Sequence, residues 1–294
     1  KSCRGGFGLV SSPLVSILIS VYGQVNHTRR CLRQLQQSLE NSDIKYEILI
    51  IDDGSPDDTP ALLKSLQPGG VRTFFNEENQ GFAKNNNFLA RKAKGDLLCL
   101  LNNDVFVQGN WLSPMINALN SHPNVGIVGN VQRLADSSVY DHMGVVFSPQ
   151  GNPRHYGQGF RVRSFKGEIK EWSAVTAACC LITRNHFLDL GGFDEIFVNG
   201  CEDVDFCLRS WQQGKCAVVV HDSVVDHVKS ASEGRKKFND KNFQVLINRW
   251  GDSIRAHQSV KDQRLHAFTY LYRGFYKPFA TNFWKWLMAL LILA

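Results

Sequence analysis

Several short motifs that mark large enzyme classes are missing from this sequence. Its 294 residues contain no GxGxxG turn, no GxxxxGK(S/T) loop and no GxSxG elbow. These absences argue against a dinucleotide-binding fold of the usual kind, a P-loop enzyme and a serine hydrolase. The eight cysteines form no CxxC pair, and Cys31, Cys99 and Cys207 lie within apolar patterns. This arrangement favours a reducing compartment and argues against a zinc site.

Strongly basic segments are also missing. The formal net charge is +6, and the sequence has no block of lysine and arginine residues of the kind that binds nucleic acid. We therefore expect no nucleic-acid partner. Apolar residues make up 43% of the chain and charged residues 20%, values that exclude wholesale disorder. The length is sufficient for one large α/β domain or for two smaller ones.

No apolar run reaches the roughly 20 residues that a membrane-spanning helix needs. The most apolar segment is the end of the chain, where aromatic and basic residues are followed by aliphatic residues at positions 287–294. This pattern predicts a helical tail over residues 256–294 that makes peripheral contact with a membrane. A spanning helix that is cut short and a helix docked on the core are the alternatives. Residues 1–12, which are rich in glycine, are expected to form a flexible lead-in.

Strand and helix patterns alternate in the first third of the chain. Apolar runs bounded by turn residues predict buried strands at 15–19, 47–51, 71–75 and 97–101, with helices between them. Repeated alternation of this kind favours right-handed crossovers and a mostly parallel sheet. We predict a single α/β domain over residues 13–255, with a Rossmann-like, mostly parallel mixed sheet flanked by helices.

Capping residues predict where the first two helices begin. Asn26 or Thr28 is expected to cap the first helix. Ser55 is expected to cap the second, because Pro56 follows it and an acidic residue lies three positions after it.

Polar side chains follow two of the predicted strands. Asp52 and Asp53 follow the second strand, and Asn102, Asn103 and Asp104 follow the fourth. Ligands of parallel sheets bind at the carboxyl ends of the strands, where an Asp104 carboxylate is well placed to hold a divalent cation. One of the two carboxylates of the first pair could accept the N–H of a nucleobase such as uracil. For both segments an ordinary turn is the alternative explanation.

A third acidic group lies at the start of a helix predicted to begin near residue 202. Glu202, Asp203 and Asp205 fall in its first turn. The helix dipole favours carboxylates there, but three exceed what it requires. A carboxylate in this position could act as a general base toward a hydroxyl nucleophile.

Two histidines and one lysine are further candidates. Either His221 or His227 could supplement Asp104 as a metal ligand, although a lone histidine is more often structural. The N-terminus of a helix predicted to begin at Gly81, together with Lys84, could receive a phosphate. A capped surface helix explains that segment equally well.

Taken in order, these segments resemble the family 2 inverting glycosyltransferases of the GT-A fold, including the bacterial rhamnosyltransferase-like members. The resemblance runs from about residue 13 to residue 249. It rests on an ordered set of motifs: residues 15–22, Asp52-Asp53-Gly54-Ser55, Asn79-Gln80-Gly81 with Lys84 and Asn87, residues 100–104, Gly191-Gly192-Phe193-Asp194, Glu202-Asp203-Val204-Asp205, and His227.

The resemblance implies how the donor is held. It implies that Ser20 and Tyr22 lie near the nucleobase and that Asp53 contacts the edge of the base, with Asp52 in support. The further residues implied in nucleotide-sugar binding are Gly81, Lys84, Asn87, Asn102 and Asn103.

The resemblance also implies the catalytic groups. Asp104 would bind Mn²⁺ or Mg²⁺ on the sugar diphosphate, and His227 would complete the metal shell. Asp203, in the pair that it forms with Glu202, would be the general base. Asn102 stands where many members of the family have aspartate, which predicts a weak or partial requirement for metal.

The implied reaction is the transfer of a sugar from a UDP-, dTDP- or GDP-linked donor to a glycan or lipid-linked acceptor. It would serve polysaccharide biosynthesis for the cell envelope, in the cytoplasm at the inner face of the membrane. Acceptor-facing residues are expected within 154–163 and 172–180. A nucleotidyltransferase is the nearest alternative, but it would usually carry a glycine-rich basic loop after the first strand. A non-catalytic sugar-nucleotide-binding module is the other, and the intact Glu202, Asp203 and Asp104 argue against it.

Overall fold

The computed structural model describes residues 13–148, 150–161, 165–228, 238–257, 260–276, 279 and 281–294. The expected lead-in at residues 1–12 lies outside the described residues.

The described residues alternate between strands and helices in the first half and form a mixed arrangement in the second. The strands are β1 (Val15–Val21), β2 (Tyr46–Asp52), β3 (Arg72–Phe75), β4 (Leu97–Leu101), β5 (Val105–Phe106), β6 (Val125–Leu134), β7 (Tyr140–His142), β8 (Val145–Phe147), β9 (Pro153–His155), β10 (Ile169–Trp172), β11 (Cys179–Thr183) and β12 (Cys216–His227). The helices are α1 (Val25–Leu39), α2 (Thr59–Leu66), α3 (Phe82–Lys92), α4 (Leu112–Ser121), α5 (Arg184–Asp189), α6 (Glu202–Gln212), α7 (Asn239–His257), α8 (Val260–Tyr276) and α9 (Phe283–Leu293).

The main sheet has the strand order β10-β12-β6-β11-β4-β1-β2-β3. β1 runs parallel to β2 and β4, β2 runs parallel to β3, and β12 runs parallel to β6. β11 lies antiparallel between β4 and β6. The predicted fold class, a mostly parallel mixed sheet flanked by helices with a helical C-terminal region, is therefore confirmed.

Both faces of the central strands are covered by helices. On one face, Leu18 of β1 and Leu98 of β4 pack with side chains of α3, α5 and α6. On the other face, Ile17 and Cys99 pack with side chains of α1, α2 and α4. Because successive residues of a strand point to opposite faces, burial of both faces requires an unbroken apolar run. This is why the apolar runs located these strands correctly.

The two predicted helix caps are wrong. α1 begins at Val25 after Gln24, and α2 begins at Thr59 after Asp58. Ser55 has a different task, because its Oγ accepts a hydrogen bond from the Gly23 backbone N at 2.7 Å. It therefore joins the turn after β2 to the turn after β1, and the second helix starts only after that junction.

The C-terminal helices α8 and α9 pack against each other. Ala267, Leu271 and Ala289 form a small buried cluster between them. Several large apolar side chains of this region remain exposed: Phe275, Phe279, Phe283, Trp284, Met288 and Leu291. Within the described part of the chain, no helix is both long enough and apolar enough to cross a bilayer.

Candidate active site

The structure brings the polar ends of three neighbouring strands to one edge of the sheet. β1 lies between β2 and β4, with Val21 level with Asp52 and Leu18 level with Leu100. Adjacent strands are about 4.8 Å apart, so the segments that follow β2, β1 and β4 lie side by side within about 10 Å. The predicted base-binding residues and Asp104 therefore share this edge.

Asp53 is tied to the loop that precedes α3. Its Oδ1 accepts hydrogen bonds from Asn76 Nδ2 at 2.9 Å and from the Gln80 backbone N at 2.8 Å. Its Oδ2 accepts one from the Gly81 backbone N at 3.0 Å. The side chain is 3% exposed. Asp53 therefore fixes the start of α3 relative to β2, and a contact with a nucleobase would have to use its remaining lone pairs.

The other predicted base-binding residues surround Asp53. Asn85 Nδ2 donates to Ser20 Oγ at 3.0 Å, and Asn85 Oδ1 accepts from Asn76 Nδ2 at 2.8 Å. Asp52 is buried, which raises the pKa of its carboxyl group, while hydrogen bonds from Ser55 offset part of the shift. Tyr22, which follows β1 at the same edge of the sheet, is 49% exposed. A polar network and one exposed ring, on which a base could stack, thus occur at the same edge of the sheet.

The residues predicted around the sugar diphosphate divide into two groups. Gly81 has φ +89° and precedes α3, and Lys84 is exposed in the first turn of that helix. Asn87 instead faces the segment 191–195: its Oδ1 accepts from the Phe193 backbone N at 2.8 Å and its Nδ2 donates to the Phe193 O at 2.9 Å. Asn87 therefore positions that segment.

The two asparagines after β4 make different contacts, one through its side chain and one through its backbone. Asn103 Nδ2 donates to Thr28 Oγ1 on α1 at 3.0 Å. The Asn102 backbone N donates to the Ala178 O at 2.8 Å. The turn that carries Asp104 is thus anchored to α1 on one side and to the segment before β11 on the other.

Asp104, His227 and Asp141 form a chain of buried side chains. Asp104 Oδ1 lies 3.5 Å from His227 Nε2, and His227 Nδ1 lies 3.3 Å from Asp141 Oδ2. Burial lowers the pKa of His227, but the hydrogen bonds and charges of Asp104 and Asp141 outweigh it and raise that pKa to about 9. The imidazole is therefore held between two carboxylates, one at each ring nitrogen.

This arrangement fits a divalent cation. Apart from the long 3.5 Å contact to His227 Nε2, the buried Asp104 Oδ1 has no hydrogen-bond partner among the described residues. A carboxylate behind the far nitrogen of a ligating histidine is the usual way to fix its orientation. No cluster of three or more histidine, cysteine, aspartate or glutamate side chains suited to a metal occurs within the described ranges. Asp104 and His227 would thus leave coordination positions for phosphate oxygens and water, as is usual for Mg²⁺.

The structure separates the two candidate histidines. His221 lies on the same strand as His227, but its Nδ1 is 3.5 Å from Glu168 Oε2. Pairing between β12 and β6 is irregular between Val220 and Val224, next to His221. His227 is therefore the histidine beside Asp104.

Asp203 lies close to the turn that carries Asp104. Its Oδ2 accepts a hydrogen bond from the Ala177 backbone N at 3.1 Å, and its Oδ1 accepts one from the Val204 backbone N at 2.8 Å. The next residue, Ala178, is the one that accepts from Asn102. Two successive residues of one segment thus connect the candidate base to the candidate metal turn.

The other carboxylates of α6 are more deeply buried. Glu202 Oε2 accepts from the Gly200 backbone N at 2.6 Å. Asp205 is 0% exposed, and its oxygens accept hydrogen bonds from Arg209 Nε at 2.8 Å, Arg249 Nη1 at 2.8 Å and Trp250 Nε1 at 2.9 Å. Asp205 therefore anchors α7 to α6, and Asp203 is the member of the group that remains partly open to solvent.

Sequence reasoning missed Asp141, and it included Gln158 only within the segment 154–163 that was expected to face the acceptor. Gln158 Nε2 donates to Asp141 Oδ1 at 3.1 Å, so both oxygens of this buried carboxylate are engaged. Asp141 belongs to the three-residue strand β7, which is too short to show a periodic pattern. The adjacent acid and histidine, Asp141 and His142, are the only local signal in the sequence.

Comparison with known proteins places this geometry in a family context. The model for glycosyl transferase family 2 matches residues 16–187. Over 196 residues the chain is 32% identical to the O-antigen biosynthesis protein RfbC of Myxococcus xanthus, covering 64% of this chain and 15% of that protein. Over 245 residues it is 25% identical to N-acetylglucosaminyl-diphospho-decaprenol L-rhamnosyltransferase of Mycobacterium tuberculosis, covering 76% of this chain and 78% of that protein.

The likeness extends to solved structures. Mannosyltransferase PcManGT from Pyrobaculum calidifontis, in complex with GDP-Man and Mn²⁺, matches with a TM-score of 0.61 at 16% identity, over 96% of this chain and 74% of that chain. This likeness confirms the GT-A type of fold. The chain spans only 27% and 15% of the lengths of the first two curated relatives that it matches.

Proposed function

This chain belongs to glycosyl transferase family 2, and we propose that it transfers a sugar, with inversion, from a nucleoside-diphosphate sugar to a hydroxyl group of a glycan or lipid-linked acceptor. The catalytic domain would comprise residues 13–255. The observation that carries the proposal is the buried chain Asp104–His227–Asp141, next to a partly open carboxylate at Asp203. The first group can serve a leaving diphosphate, and the second an incoming hydroxyl.

The donor nucleotide would lie across the ends of β1 and β2. Tyr22 offers an exposed ring, and the network that joins Ser20 to Asp53 offers hydrogen-bonding groups to the edge of a base. Lys84, exposed in the first turn of α3, would contact the phosphates, because a helix N-terminus and an ammonium group both favour anions. The GDP-Man in the complex of PcManGT supports a nucleoside-diphosphate donor for this fold.

Asp104 and His227 would hold Mn²⁺ or Mg²⁺ on the sugar diphosphate. When bound, the cation neutralises the charge that develops on the departing nucleoside diphosphate. Asp141 keeps the His227 ring in place by accepting from Nδ1. The Mn²⁺ in the complex of PcManGT supports this assignment.

Asp203 would take the proton from the acceptor hydroxyl. The Ala177 and Val204 backbone amides hold its two oxygens and so restrict the orientation of the carboxylate. A general base fixed on the side opposite the leaving diphosphate favours in-line attack at the anomeric carbon, which inverts its configuration. We assign the chain to the rhamnosyltransferase-like branch, and the similarity to the mycobacterial rhamnosyltransferase supports this assignment.

Identification of the released product tests the proposal. The protein is incubated with UDP-, dTDP- and GDP-sugars, with Mn²⁺ or Mg²⁺, and with glycan and lipid-linked acceptors. We expect release of the nucleoside diphosphate and formation of a product with inverted configuration. Release of pyrophosphate would instead identify a nucleotidyltransferase. A donor that binds but is never turned over with any acceptor would identify a binding module.

The C-terminal helices would bring the enzyme to the inner face of the membrane. Exposed Phe283, Trp284, Met288 and Leu291 on α9 support peripheral contact, since aromatic and aliphatic side chains partition into the lipid interface. Co-sedimentation with lipid vesicles should fall when Phe283 and Trp284 are replaced by serine. Unchanged binding would contradict this assignment.

A further inference from the structure

A second cleft opens between the β9 region and α8. Its volume is about 80 Å³. Arg154, His155 and Gln158 line one wall, and His266, Tyr270 and Arg273 of α8 line the other. A cavity of roughly 10–15 Å³ can hold one water molecule, so this cleft has room for several waters or for a phosphate group, and its open side can receive a larger ligand.

Positive charge in this cleft is not compensated by the described part of the protein. No aspartate or glutamate of the described ranges lines it, and neither Arg154 nor Arg273 forms an ion pair within those ranges. Arg154 is exposed on one side, and partial burial of its guanidinium and then the charge of Arg273 lower its pKa. Burial, followed by the charges of Arg154 and Lys285, lowers the pKa of His266 to about 4. Repulsion between like charges at this site raises the free energy of the empty cleft.

Two hydrogen-bond donors of the cleft, on Arg273 and Tyr270, are available to a ligand. Arg273 Nε is buried and lacks a hydrogen-bond partner among the described residues. The hydroxyl of Tyr270 accepts from the Asn282 backbone N at 3.0 Å, which leaves its own hydrogen to be donated. Guanidinium groups bind phosphate oxygens in a bidentate manner, and a buried unpaired donor is costly unless a ligand satisfies it.

Gln158 connects the cleft to the candidate active site. Gln158 lines the cleft, and its Nε2 donates to Asp141 Oδ1 at 3.1 Å. The other oxygen of Asp141 lies 3.3 Å from His227 Nδ1. A ligand in the cleft would therefore lie close to Asp141, the group that orients the candidate metal ligand His227.

We propose that this cleft binds a phosphate group of the acceptor, with Arg154 and Arg273 as the principal contacts. The acceptor is then a phosphate-bearing compound whose hydroxyl is presented to Asp203. This inference rests on the proposed function, because only a transferase has an acceptor to place. The binding of phosphate itself can be measured without any turnover.

Titration with inorganic pyrophosphate tests the site directly. The full chain is titrated by calorimetry in EDTA, so that no divalent cation recruits the anion to Asp104. Arg154→Gln and Arg273→Gln should each weaken the binding about tenfold or more, since each removes a charge-assisted contact. Arg264→Gln, on the exposed side of α8, is the matched control and should bind as wild type does.

Two results of this titration would overturn the inference. One is pyrophosphate affinity that neither Arg154→Gln nor Arg273→Gln reduces. The other is affinity that is lost in Lys84→Gln but retained in both cleft variants, because the anion would then occupy the donor edge. Should a glutamine variant fail to fold, Arg154→Lys and Arg273→Lys replace it. Weaker binding of pyrophosphate by these lysine variants supports a bidentate contact. Unchanged binding by both overturns the assignment of Arg154 and Arg273 as bidentate contacts.

Thermal melting separates a binding role from a structural one. Removing one of two uncompensated charges should leave the melting temperature unchanged or raise it, because repulsion in the empty cleft is relieved. Pyrophosphate should raise the melting temperature of the wild type and of Arg264→Gln, but not of Arg154→Gln or Arg273→Gln. A pyrophosphate-induced rise that persists in both cleft variants would contradict the proposal.

Vesicles distinguish a lipid-borne phosphate from a soluble one. Binding is compared between phosphatidylcholine vesicles and the same vesicles that also contain a long-chain prenyl phosphate. An increment that depends on the prenyl phosphate and is lost in Arg273→Gln supports a lipid-linked acceptor. Pyrophosphate binding in the cleft without such an increment supports a soluble phosphorylated acceptor.

The inference and the proposed function fail in different experiments. Hydrolysis of the donor in the absence of acceptor, measured as release of the nucleoside diphosphate, reports on the donor edge and on Asp104. Hydrolysis together with no pyrophosphate binding at Arg154 and Arg273 would overturn the cleft assignment and leave the transferase intact. Pyrophosphate binding at these arginines, with no donor turned over, would support the cleft assignment and overturn the proposed transferase function.

Discussion

Asp141→Ala should weaken the binding of Mn²⁺, although Asp141 itself is not a proposed ligand of the cation. The Asp141 carboxylate accepts from His227 Nδ1 on one oxygen and from Gln158 Nε2 on the other, at 3.3 and 3.1 Å. The alanine variant leaves the Nδ1–H of a buried ring without an acceptor, so the ring is no longer held toward Asp104. Loss of such a partner typically costs 10–100-fold in metal affinity, which is about 1.4–2.8 kcal/mol.

Asp141→Asn is the matched control that separates the orienting effect of the Asp141 hydrogen bond from the effect of its negative charge. An asparagine keeps one oxygen for His227 Nδ1, and Gln158 can turn its amide to meet the new NH₂ group. The asparagine variant should therefore bind Mn²⁺ more tightly than the alanine variant. If the two variants lose affinity equally, the negative charge of Asp141 matters and its hydrogen bond does not.

The assay is calorimetric titration of Mn²⁺ in the presence of a saturating nucleoside diphosphate, on single and double variants. If Asp141 acts through His227, Asp141→Ala should have no further effect on Mn²⁺ affinity in a His227→Ala background. Additive losses would show that Asp141 acts by another route. Wild-type affinity in Asp141→Ala would refute the reasoning altogether.

Three further predictions concern the candidate base, the candidate metal turn and the segment that Asn87 positions. Asp203→Asn should leave donor binding nearly intact and lower turnover about 10²–10⁴-fold, because an amide cannot take the acceptor proton. Turnover close to the wild-type value would remove Asp203 from this role. Asp104→Ala should abolish the strengthening of donor binding by Mn²⁺, which donor titrations with and without the metal measure; an unchanged difference would contradict the assignment. Gly192→Ala should lower the free energy of unfolding by about 2–5 kcal/mol, since it combines backbone strain at φ +73° with a collision between the new Cβ and Asn87 Oδ1. Gly191→Ala has a similar strain at φ +80° but open space, so urea unfolding should show a loss of only about 1–2 kcal/mol; equal losses would exclude the collision.

The sequence predicted those parts of the site that follow from strand ends. β1, β2 and β4 are covered on both faces, so their apolar runs end where the buried sheet ends, and the polar residues after them had to share one edge. Asp53 and Asp104 could be located there from local pattern alone. The cap expected at Ser55 failed because its hydroxyl serves a contact to Gly23, which is 32 positions away.

The choice between the two histidines illustrates what local pattern cannot supply. His221 and His227 are six positions apart, an even spacing that would place both on one face of a regular strand. Irregular pairing of β12 with β6 next to His221 breaks this regularity. Only the paired strand decides which ring meets Asp104.

By itself, the order of apolar and polar residues determined the parallel sheet, its covered faces and the edge that carries Asp53 and Asp104, because these depend on periodicity within each segment. Tertiary structure decided the rest. Asp141 and Gln158 reach the site from short segments without a period, and Arg154 and Arg273 line one cleft only because α8 packs against the β8–β9 hairpin. Contacts between residues distant in the chain depend on packing geometry, which no local pattern encodes.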